Sequence, residues 1–446
     1  MKKMSTMEII SLGLMLFSIF FGAGNLIFPP ALGQAAGTNI LPAIAGFLLT
    51  GVGLPLLGVL AIGISGGEYA KLIAKRVHPK FALMLLVILN LTVGPLFAVP
   101  RTGTVAFEVG IRSFISPDSA VVGQFIYTLL FFGATYLLAL NPSKIADRLG
   151  KILTPILLLF LGILLAQVFY APLGDLQMSL PNYQTTPFVQ GFKEGYLTMD
   201  LLAFISIGAI VVNSIKEKNI TNPVEITKLC TIAGLISAFL MSAIYISLAY
   251  LGATSVAAFG QAENGGVILT NVASVYFGQI GNIILAVIIT FACLTTSCGL
   301  SSSCATFFSE LSNGRLKYKP LLFVINLFSM VVGNFGLTKL ITVSVPFLVT
   351  LYPVVIVLVL LSLLHRLFQG RKTVYQYSLF LTLLISIFGG LQAANIPLPA
   401  INQFLGDYIP LYQANLGWFV PAILGAVIGY VVSLVQSEEN EPECEV

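Results

Sequence analysis

Twelve apolar stretches, most of them long enough to cross a bilayer, follow one another along this chain with only short polar segments between them. They run at about 7–35, 41–66, 81–110, 120–140, 150–170, 189–214, 226–251, 278–310, 320–335, 338–365, 374–394 and 414–436. The hydrocarbon core of a bilayer is about 30 Å thick, so a helix needs about 20 apolar residues to span it. Charged residues are 9 % of the 446, against about 25 % in a soluble domain, so water is not the main solvent for this fold. Strands of a barrel would alternate polar and apolar residues over about ten positions, and the Leu/Ile/Val/Phe-rich stretches do not. The expectation is an all-α, polytopic membrane protein of about twelve transmembrane helices.

Basic residues give the orientation, because Lys and Arg concentrate on the cytoplasmic side. With the N-terminus inside and the sides alternating, 18 of the 22 Lys and Arg fall inside, from Lys2 and Lys3 to Arg371 and Lys372. Only Arg101, Arg112, Lys193 and Lys339 are left for the outside. A wrong helix count would scramble this asymmetry. Lys2 and Lys3 ahead of an apolar run, with Gly22-Ala23-Gly24 behind it, imitate a cleaved export signal. The remainder would still be all membrane, so an uncleaved first helix is expected. The longer connections at 171–188, 252–277 and 395–413 fall outside, and the acidic tail from Glu438 to Glu445 lands inside as a solvated end.

Several function classes fit poorly. A net charge of +4 gives no reason to expect a nucleic-acid partner, and nothing points to an obligate protein partner. Cys230, Cys293, Cys298, Cys304 and Cys444 lack zinc-ligand or CxxC spacing and read as apolar fillers, with no metal or redox role. An intramembrane enzyme would want a His, a metal cluster or a carboxylate pair inside the membrane. His78 and His365 instead fall at cytoplasmic helix ends beside basic residues. A channel would want repeated filters or charged rings, and one mid-membrane Asp does not supply them.

Three stretches carry the chemistry. The first is Phe20-Phe21-Gly22-Ala23-Gly24-Asn25-Leu26-Ile27-Phe28-Pro29-Pro30. Gly costs about 1 kcal/mol in a helix interior, Pro29 and Pro30 cannot both continue a regular ladder, and Asn25 places an amide in hydrocarbon. Freed backbone at this depth is tolerated only against protein or a cavity. An interrupted helix offers N–H groups to a carboxylate and carbonyls to a cation. The competing reading, a close-packed glycine face with a proline kink, would better suit glycines three apart.

The second stretch runs from Glu194 through Tyr196, Thr198 and Asp200 to Ala203 and Phe204. An ionised carboxylate at the depth of Asp200 costs at least about 2.5–3.5 kcal/mol. It needs a cation, a proton or a helix end as partner, or else it braces a helix break through backbone and hydroxyl groups. The third stretch is Ala292 to Gly299, followed by Ser301, Ser302 and Ser303. Bonding back by one turn explains one or two of its hydroxyls better than all six. Ala292, Thr295 and Thr296 share one face and can offer a carbonyl and two hydroxyls to sodium against the broken first helix. In the third span, Arg101 and Glu108 lie seven apart on one helix face, as a gating pair in an outer vestibule or as an interfacial structural pair. The first and sixth spans both carry small or polar residues mid-membrane, five helices apart, as an inverted repeat requires.

Through FFGAGNLIFPP, with TMDLLA and CLTTS behind it, the sequence resembles the bacterial branched-chain amino acid:cation symporters of the BrnQ type. The likeness covers essentially the whole chain, including Gly94-Pro95 and Pro100-Arg101. That family is similar to the amino acid–polyamine–organocation superfamily with the LeuT fold. The resemblance implies a LeuT-like 5+5 inverted repeat, with a first unit at 1–170 and a second at 189–365. Two additional C-terminal helices follow at 374–436, with a cytoplasmic tail at 437–446. It also implies a multi-pass protein of the cytoplasmic membrane that imports leucine, isoleucine and valine by sodium-coupled alternating access.

The resemblance further assigns residues. Gly22, Ala23, Gly24 and Asn25 match the unwound first helix that holds the substrate carboxylate. Asn25 and Thr198 match ligands of one sodium beside that carboxylate. Ser18 and Phe21 through carbonyls, the Ala292 carbonyl, Thr295 and Thr296 match a second sodium site. No other cofactor is implied. Two departures stand out: the sixth span lacks the usual glycine at its break, and Asp200 stands where many relatives carry a small polar residue. Both leave proton coupling open, with another small apolar amino acid as the alternative substrate. The expected pose sets the ammonium on unwound carbonyls near Tyr196–Asp200, with Ala203, Phe204 and third-span residues around the branched side chain.

Overall fold

The computed structural model describes residues 4–67, 69–140 and 145–435, and every regular element among them is helical. Helices α1 (Thr6–Phe20) and α2 (Ala23–Ala36) form the first span, and α3 (Ile40–Leu48) and α4 (Leu54–Ile64) the second. A short helix, α5 (Tyr69–Arg76), precedes the third span, made of α6 (Pro79–Leu91) and α7 (Ala98–Gly110). The fourth and fifth spans are α8 (Ala120–Ala139) and α9 (Ile145–Tyr170). After a connecting helix, α10 (Pro181–Thr185), the sixth span comprises α11 (Pro187–Glu194), a 3-10 turn and α12 (Asp200–Lys216). The seventh to tenth are α13 (Pro223–Phe259), α14 (Gly265–Leu311), α15 (Tyr318–Gly333) and α16 (Leu337–Leu363). Then come α17 (Lys372–Ala393), the connecting helix α18 (Pro399–Tyr408) and α19 (Phe419–Val435).

Among the described residues, seven helical runs are by themselves long and apolar enough to cross a bilayer, and a bent pair with a 47° break at Met199 makes an eighth. Thr6–Phe20, Pro155–Tyr170, Tyr318–Gly333 and Phe419–Val435 are shorter apolar helices. The run Ala23–Ile64 counts twice, because the chain turns at Gly37 (φ 46°, ψ −120°), where glycine takes a positive φ without a Cβ penalty. Half of the first span and the whole second span lie on either side of that turn. Among the described residues the total is the expected twelve.

The pairing of spans carries the inverted repeat. Span one packs on span seven through α1, α2 and α13, and span six packs on span two through α11, α12, α3 and α4. Span eight lies along span five, and span ten lies against span three. Exchanging each span of the first five with its counterpart in the second five maps one set of contacts onto the other. The close approaches obey the same exchange. A Cβ on Gly33 would stand 1.9 Å from the Ala249 carbonyl oxygen, and one on Gly252 2.0 Å from that of Pro30. Across the second interface, a Cβ on Gly46 would stand 2.0 Å from the Phe188 oxygen, and one on Gly191 1.8 Å from that of Ala43. Small residues let these backbones touch, which is how helices associate where lipid removes the hydrophobic drive between them.

Local sequence sets the ends. Ser5 and Glu8 form a capping box at α1, with Ser5 N–H donating to Glu8 (2.9 Å) and Glu8 N–H to the Ser5 hydroxyl (3.3 Å). Asn264 caps α14 by accepting from the N–H groups of Gly266 and Val267. The connection expected at 252–277 is mostly helical instead. Span seven runs on to Phe259, and α14 begins at Gly265 and bends at Gly278, whose φ is 60°. Several of the polar residues here, Thr254, Ser255, Asn264 and Thr270, are buried within helices or at their caps rather than exposed on a loop. Helices α5, α10 and α18 likewise lie in segments read as connections. Cys444 and the acidic tail lie outside the described residues, as do the side chains of Lys144, Arg148 and Lys151.

Candidate functional site between the broken spans

The first span breaks where its sequence is least able to stay helical. Phe21 (ψ 87°) and Gly22 (ψ −165°) leave helical geometry, and α2 restarts at Ala23 with no side-chain cap on Gly22. The N–H groups of its first turn, at Ala23, Gly24 and Asn25, therefore have no intrahelical acceptor. Pro29 and Pro30 do not end the helix as expected; they sit inside α2. Their effect is on the acceptors one turn earlier, since the Asn25 and Leu26 carbonyls lose the N–H donors that residues 29 and 30 would supply.

The sixth span breaks without glycine. Met199 takes a left-handed conformation (φ 63°, ψ 9°) between the 3-10 turn Gly195–Thr198 and the start of α12 at Asp200. A non-glycine residue in this region is strained and persists only where its surroundings dictate it. Here Thr198 supplies two constraints: its hydroxyl donates to the Gly195 carbonyl (3.0 Å) and accepts from the Asp200 N–H (3.4 Å). Asp200 thereby stands in the first turn of a helix, where the macrodipole favours a carboxylate.

The two breaks touch. The Asn25 side-chain amide donates to Asp200 Oδ2 at 2.8 Å and also to the Tyr245 hydroxyl of span seven. Asn25 is 2 % exposed and Asp200 5 %. Tyr245 is held by Phe21 (stacked, 6.4 Å between centroids) and Phe47 (edge-on, 5.3 Å). On the far side of the sixth-span break, Tyr196 stacks on Tyr352 of span ten at 4.3 Å.

Arg101 completes the cluster from span three. Its Nη1 donates to the Leu197 carbonyl and its Nη2 to that of Thr198 (3.2 Å), and its guanidinium lies over the Phe28 ring at 5.1 Å. Gly24 makes room for it, since a Cβ there would stand 2.6 Å from Nη2. This corrects the outer-vestibule reading of Arg101. The side chain is 5 % exposed and faces the middle of the membrane domain, whereas Glu108, two turns on, neighbours Asn264 and Gly266. Helical periodicity placed both on one face but could not show that span six passes beneath only the first. The expectation of free carbonyls at Tyr196–Asp200 also changes. Gly195, Tyr196, Leu197 and Thr198 oxygens accept, in turn, from the Thr198 hydroxyl, the Met199 N–H and Arg101.

The third stretch stands against the first break. A Cβ on Gly22 would lie 3.2 Å from Thr296 Cγ2 and 3.6 Å from its hydroxyl oxygen. Thr295 and Thr296 hydroxyls donate back to the Ala292 carbonyl at 2.9 and 3.0 Å, which leaves both oxygens with lone pairs to offer. Ser18 is half-buried on the last turn of α1, and Phe21 is buried at the break itself. Ser297 faces away, accepting from Thr135.

Ala203 lines a cleft between spans three, six and eight, with Asn90, Gly94, Leu202, Ser303 and Cys304 among its other walls. Its span-six wall, Leu202, Ala203 and Ile205, begins two residues beyond Asp200. Phe204 is not part of it. Its ring packs on Gly58 of span two and edge-on against Tyr69 of α5 (5.3 Å). Tyr245 and Tyr352 are the residues that the sequence did not single out, because nothing distinguishes them among 16 tyrosines. Arg101 did carry a signal, since an arginine inside a span is functional by default.

The chain is similar to known proteins over nearly its whole length. A family described as branched-chain amino acid transport protein matches residues 5–436. The branched-chain amino acid permease BrnQ of Bacillus subtilis is 47 % identical over 439 residues, covering 98 % of this chain and all of that protein. The permease BraB of the same organism is 48 % identical over 427 residues, 96 % of each chain. A branched-chain amino acid transport system 2 carrier protein of Pseudomonas aeruginosa is 42 % identical over 440 residues, 97 % of this chain and 98 % of its own. Among solved structures, Mhp1, a nucleobase–cation–symport-1 family transporter, superposes with a TM-score of 0.62 at 13 % identity, covering 98 % and 94 % of the chains. MhsT in complex with L-phenylalanine gives 0.52 at 17 %, covering 96 % and 98 %. At those identities the likeness is one of fold.

Proposed function

The chain belongs to the branched-chain amino acid transport protein family, and from that premise we propose that it is a sodium-coupled symporter importing leucine, isoleucine and valine by alternating access. It is a transporter and not an enzyme. The observation that carries the reading is the Asn25–Asp200 bond, which brings two helix breaks into one buried polar cluster. Helix ends within a membrane are where a zwitterion and a small cation find backbone partners.

The amino acid lies between the breaks. Its carboxylate takes the uncapped N–H groups at Gly22–Asn25, and its ammonium takes Asp200, since the carbonyls at 195–198 already accept bonds. Ala203 and the third-span wall receive the branched side chain. Sodium binds where the carbonyls ending α1, at Ser18 and Phe21, face Ala292, Thr295 and Thr296. A second sodium ion takes Asn25 and Thr198 beside the carboxylate. The protein lies in the cytoplasmic membrane with both termini inside. The cleft at Ala203 is then the inward route, and the backbone contacts at Gly33, Gly252 and Gly265, where a Cβ would stand 1.7 Å from the Ile27 oxygen, close the outer one. Buried Asp200 also favours a second reading, in which a proton is the coupling ion for this or another small apolar amino acid.

Exchange of external labelled leucine against internal unlabelled leucine in proteoliposomes tests the substrate without an imposed gradient. Inhibition by excess isoleucine and valine, with none by lysine or glutamate, is expected. A pocket of this kind separates neighbouring aliphatic side chains by only about 1–3 kcal/mol per methylene, so all three share it. Exchange indifferent to isoleucine and valine would overturn the assignment.

A further inference from the structure

Arg101 is a buried cation with unused capacity. Burying a charge costs several kcal/mol unless it is paired and its hydrogen bonds are made. Arginine carries five N–H donors in a planar fork. In this protein Nη1 and Nη2 use the end of that fork on the Leu197 and Thr198 carbonyls. The side of the fork, where Nε and Nη2 point the same way, is different: Nε is buried and has no hydrogen-bond partner. One guanidinium face is covered by Phe28, and the Nε N–H lies in the guanidinium plane, so its ligand must lie in that plane. The Nη2 corner abuts Gly24, the second residue of the uncapped first turn of α2. Asp200 acts on Arg101 through space, but its carboxylate is taken up by Asn25 while the guanidinium is taken up by carbonyls. Arg101 and Asp200 therefore flank the two breaks with separate hydrogen-bond partners and no direct hydrogen bond between them.

A zwitterion satisfies both. We propose that the side-on Nε/Nη2 fork of Arg101 binds the substrate carboxylate, so that this span-three residue decides that the ligand must be an α-amino acid rather than an apolar amine. A carboxylate lying in the guanidinium plane makes the paired N–H···O bonds for which the arginine fork is shaped. Gly24 keeps the fork and the α2 N–H groups close enough to share that carboxylate. The inference rests on the reading of an amino-acid substrate and adds a residue to it.

The test is calorimetric titration of the purified full-length protein with leucine, with 3-methylbutylamine, which is leucine without its carboxylate, and with 4-methylpentanoate, which lacks the ammonium. Wild type is expected to prefer leucine to the amine by about 100-fold, the worth of hydrogen bonds to a charged group. Arg101→Gln is expected to weaken leucine at least about 30-fold while amine binding stays within about threefold. Arg101→Lys keeps the charge but not the fork, and is expected to lie between, still favouring leucine. Leucine affinity unchanged in Arg101→Gln, or leucine and amine weakened by the same factor, would overturn the proposal. Should Arg101→Gln fail to fold, unchanged leucine affinity in Arg101→Lys would overturn it equally. Wild type that binds none of leucine, isoleucine and valine would instead remove the amino-acid reading itself.

Discussion

The Asn25 amide meets the Asp200 carboxylate at 2.8 Å across 175 residues of sequence, and neither partner has a reason to be buried without the other. Each lies at a helix break that its own span could not keep closed in hydrocarbon. Joined, the two breaks share one polar centre, with Tyr245 on the Asn25 side and Arg101 on the carbonyl side. That centre is what the surrounding spans are arranged around.

Asp200→Asn removes the charge while retaining an acceptor for Asn25. Initial leucine uptake into proteoliposomes is expected to fall by at least about tenfold, since a hydrogen bond to a charged group contributes about 1.5–3 kcal/mol. Thermal unfolding in detergent should change little. Uptake at the wild-type rate would remove Asp200 from the ammonium site.

Thr296→Ala deletes the hydroxyl nearest Gly22. The sodium concentration for half-maximal uptake is expected to rise several-fold, on the order of the one lost ligand bond, with maximal uptake less affected. An unaltered sodium titration assigns the ion elsewhere.

The glycine contacts between spans separate packing from helix propensity. Gly33→Ala drives a Cβ into the Ala249 carbonyl at 1.9 Å and is expected to destabilise by about 1–3 kcal/mol, the usual cost of overpacking. Gly162→Ala, whose Cβ would meet nothing within 4 Å, should be neutral or stabilising by up to about 1 kcal/mol. Thermal denaturation of the two variants side by side reads the difference.

Ala203 and Phe204 should part company. Ala203→Val narrows the cleft and is expected to shift the ratio of valine to leucine uptake by up to about tenfold, about 1.4 kcal/mol. Phe204→Leu loosens the packing on Gly58 and Tyr69 and is expected to lower thermal stability with the substrate ratio unchanged. Competition uptake measured with both variants distinguishes lining from support.

Much of this was legible in the chain. Apolar runs on a 20-residue scale fixed the spans, because lipid forbids unpaired backbone and leaves few architectures. Gly22-Ala23-Gly24-Asn25 and Asp200 stood out because each is costly in a membrane unless used. The positions of Pro29 and Pro30 were less legible: a proline shows which donors are missing, not whether the helix stops. Arg101 was visible as a charge, but its partners Leu197 and Thr198 are backbone atoms nearly a hundred residues away, brought there by a tertiary crossing. Tyr245 carried no local signal at all. Phe204 stands apart from the cleft because its ring turns onto Gly58 and Tyr69, while Leu202, Ala203 and Ile205 line it.

The driving ion separates sodium coupling from proton coupling most directly. Radiolabelled leucine uptake into proteoliposomes, under an imposed inward sodium gradient and separately under an imposed proton gradient, measures it. Sodium coupling predicts accumulation above equilibrium with sodium, competed by isoleucine and valine and absent with protons alone. Accumulation driven only by protons would contradict it and move the coupling role from Thr295 and Thr296 to Asp200.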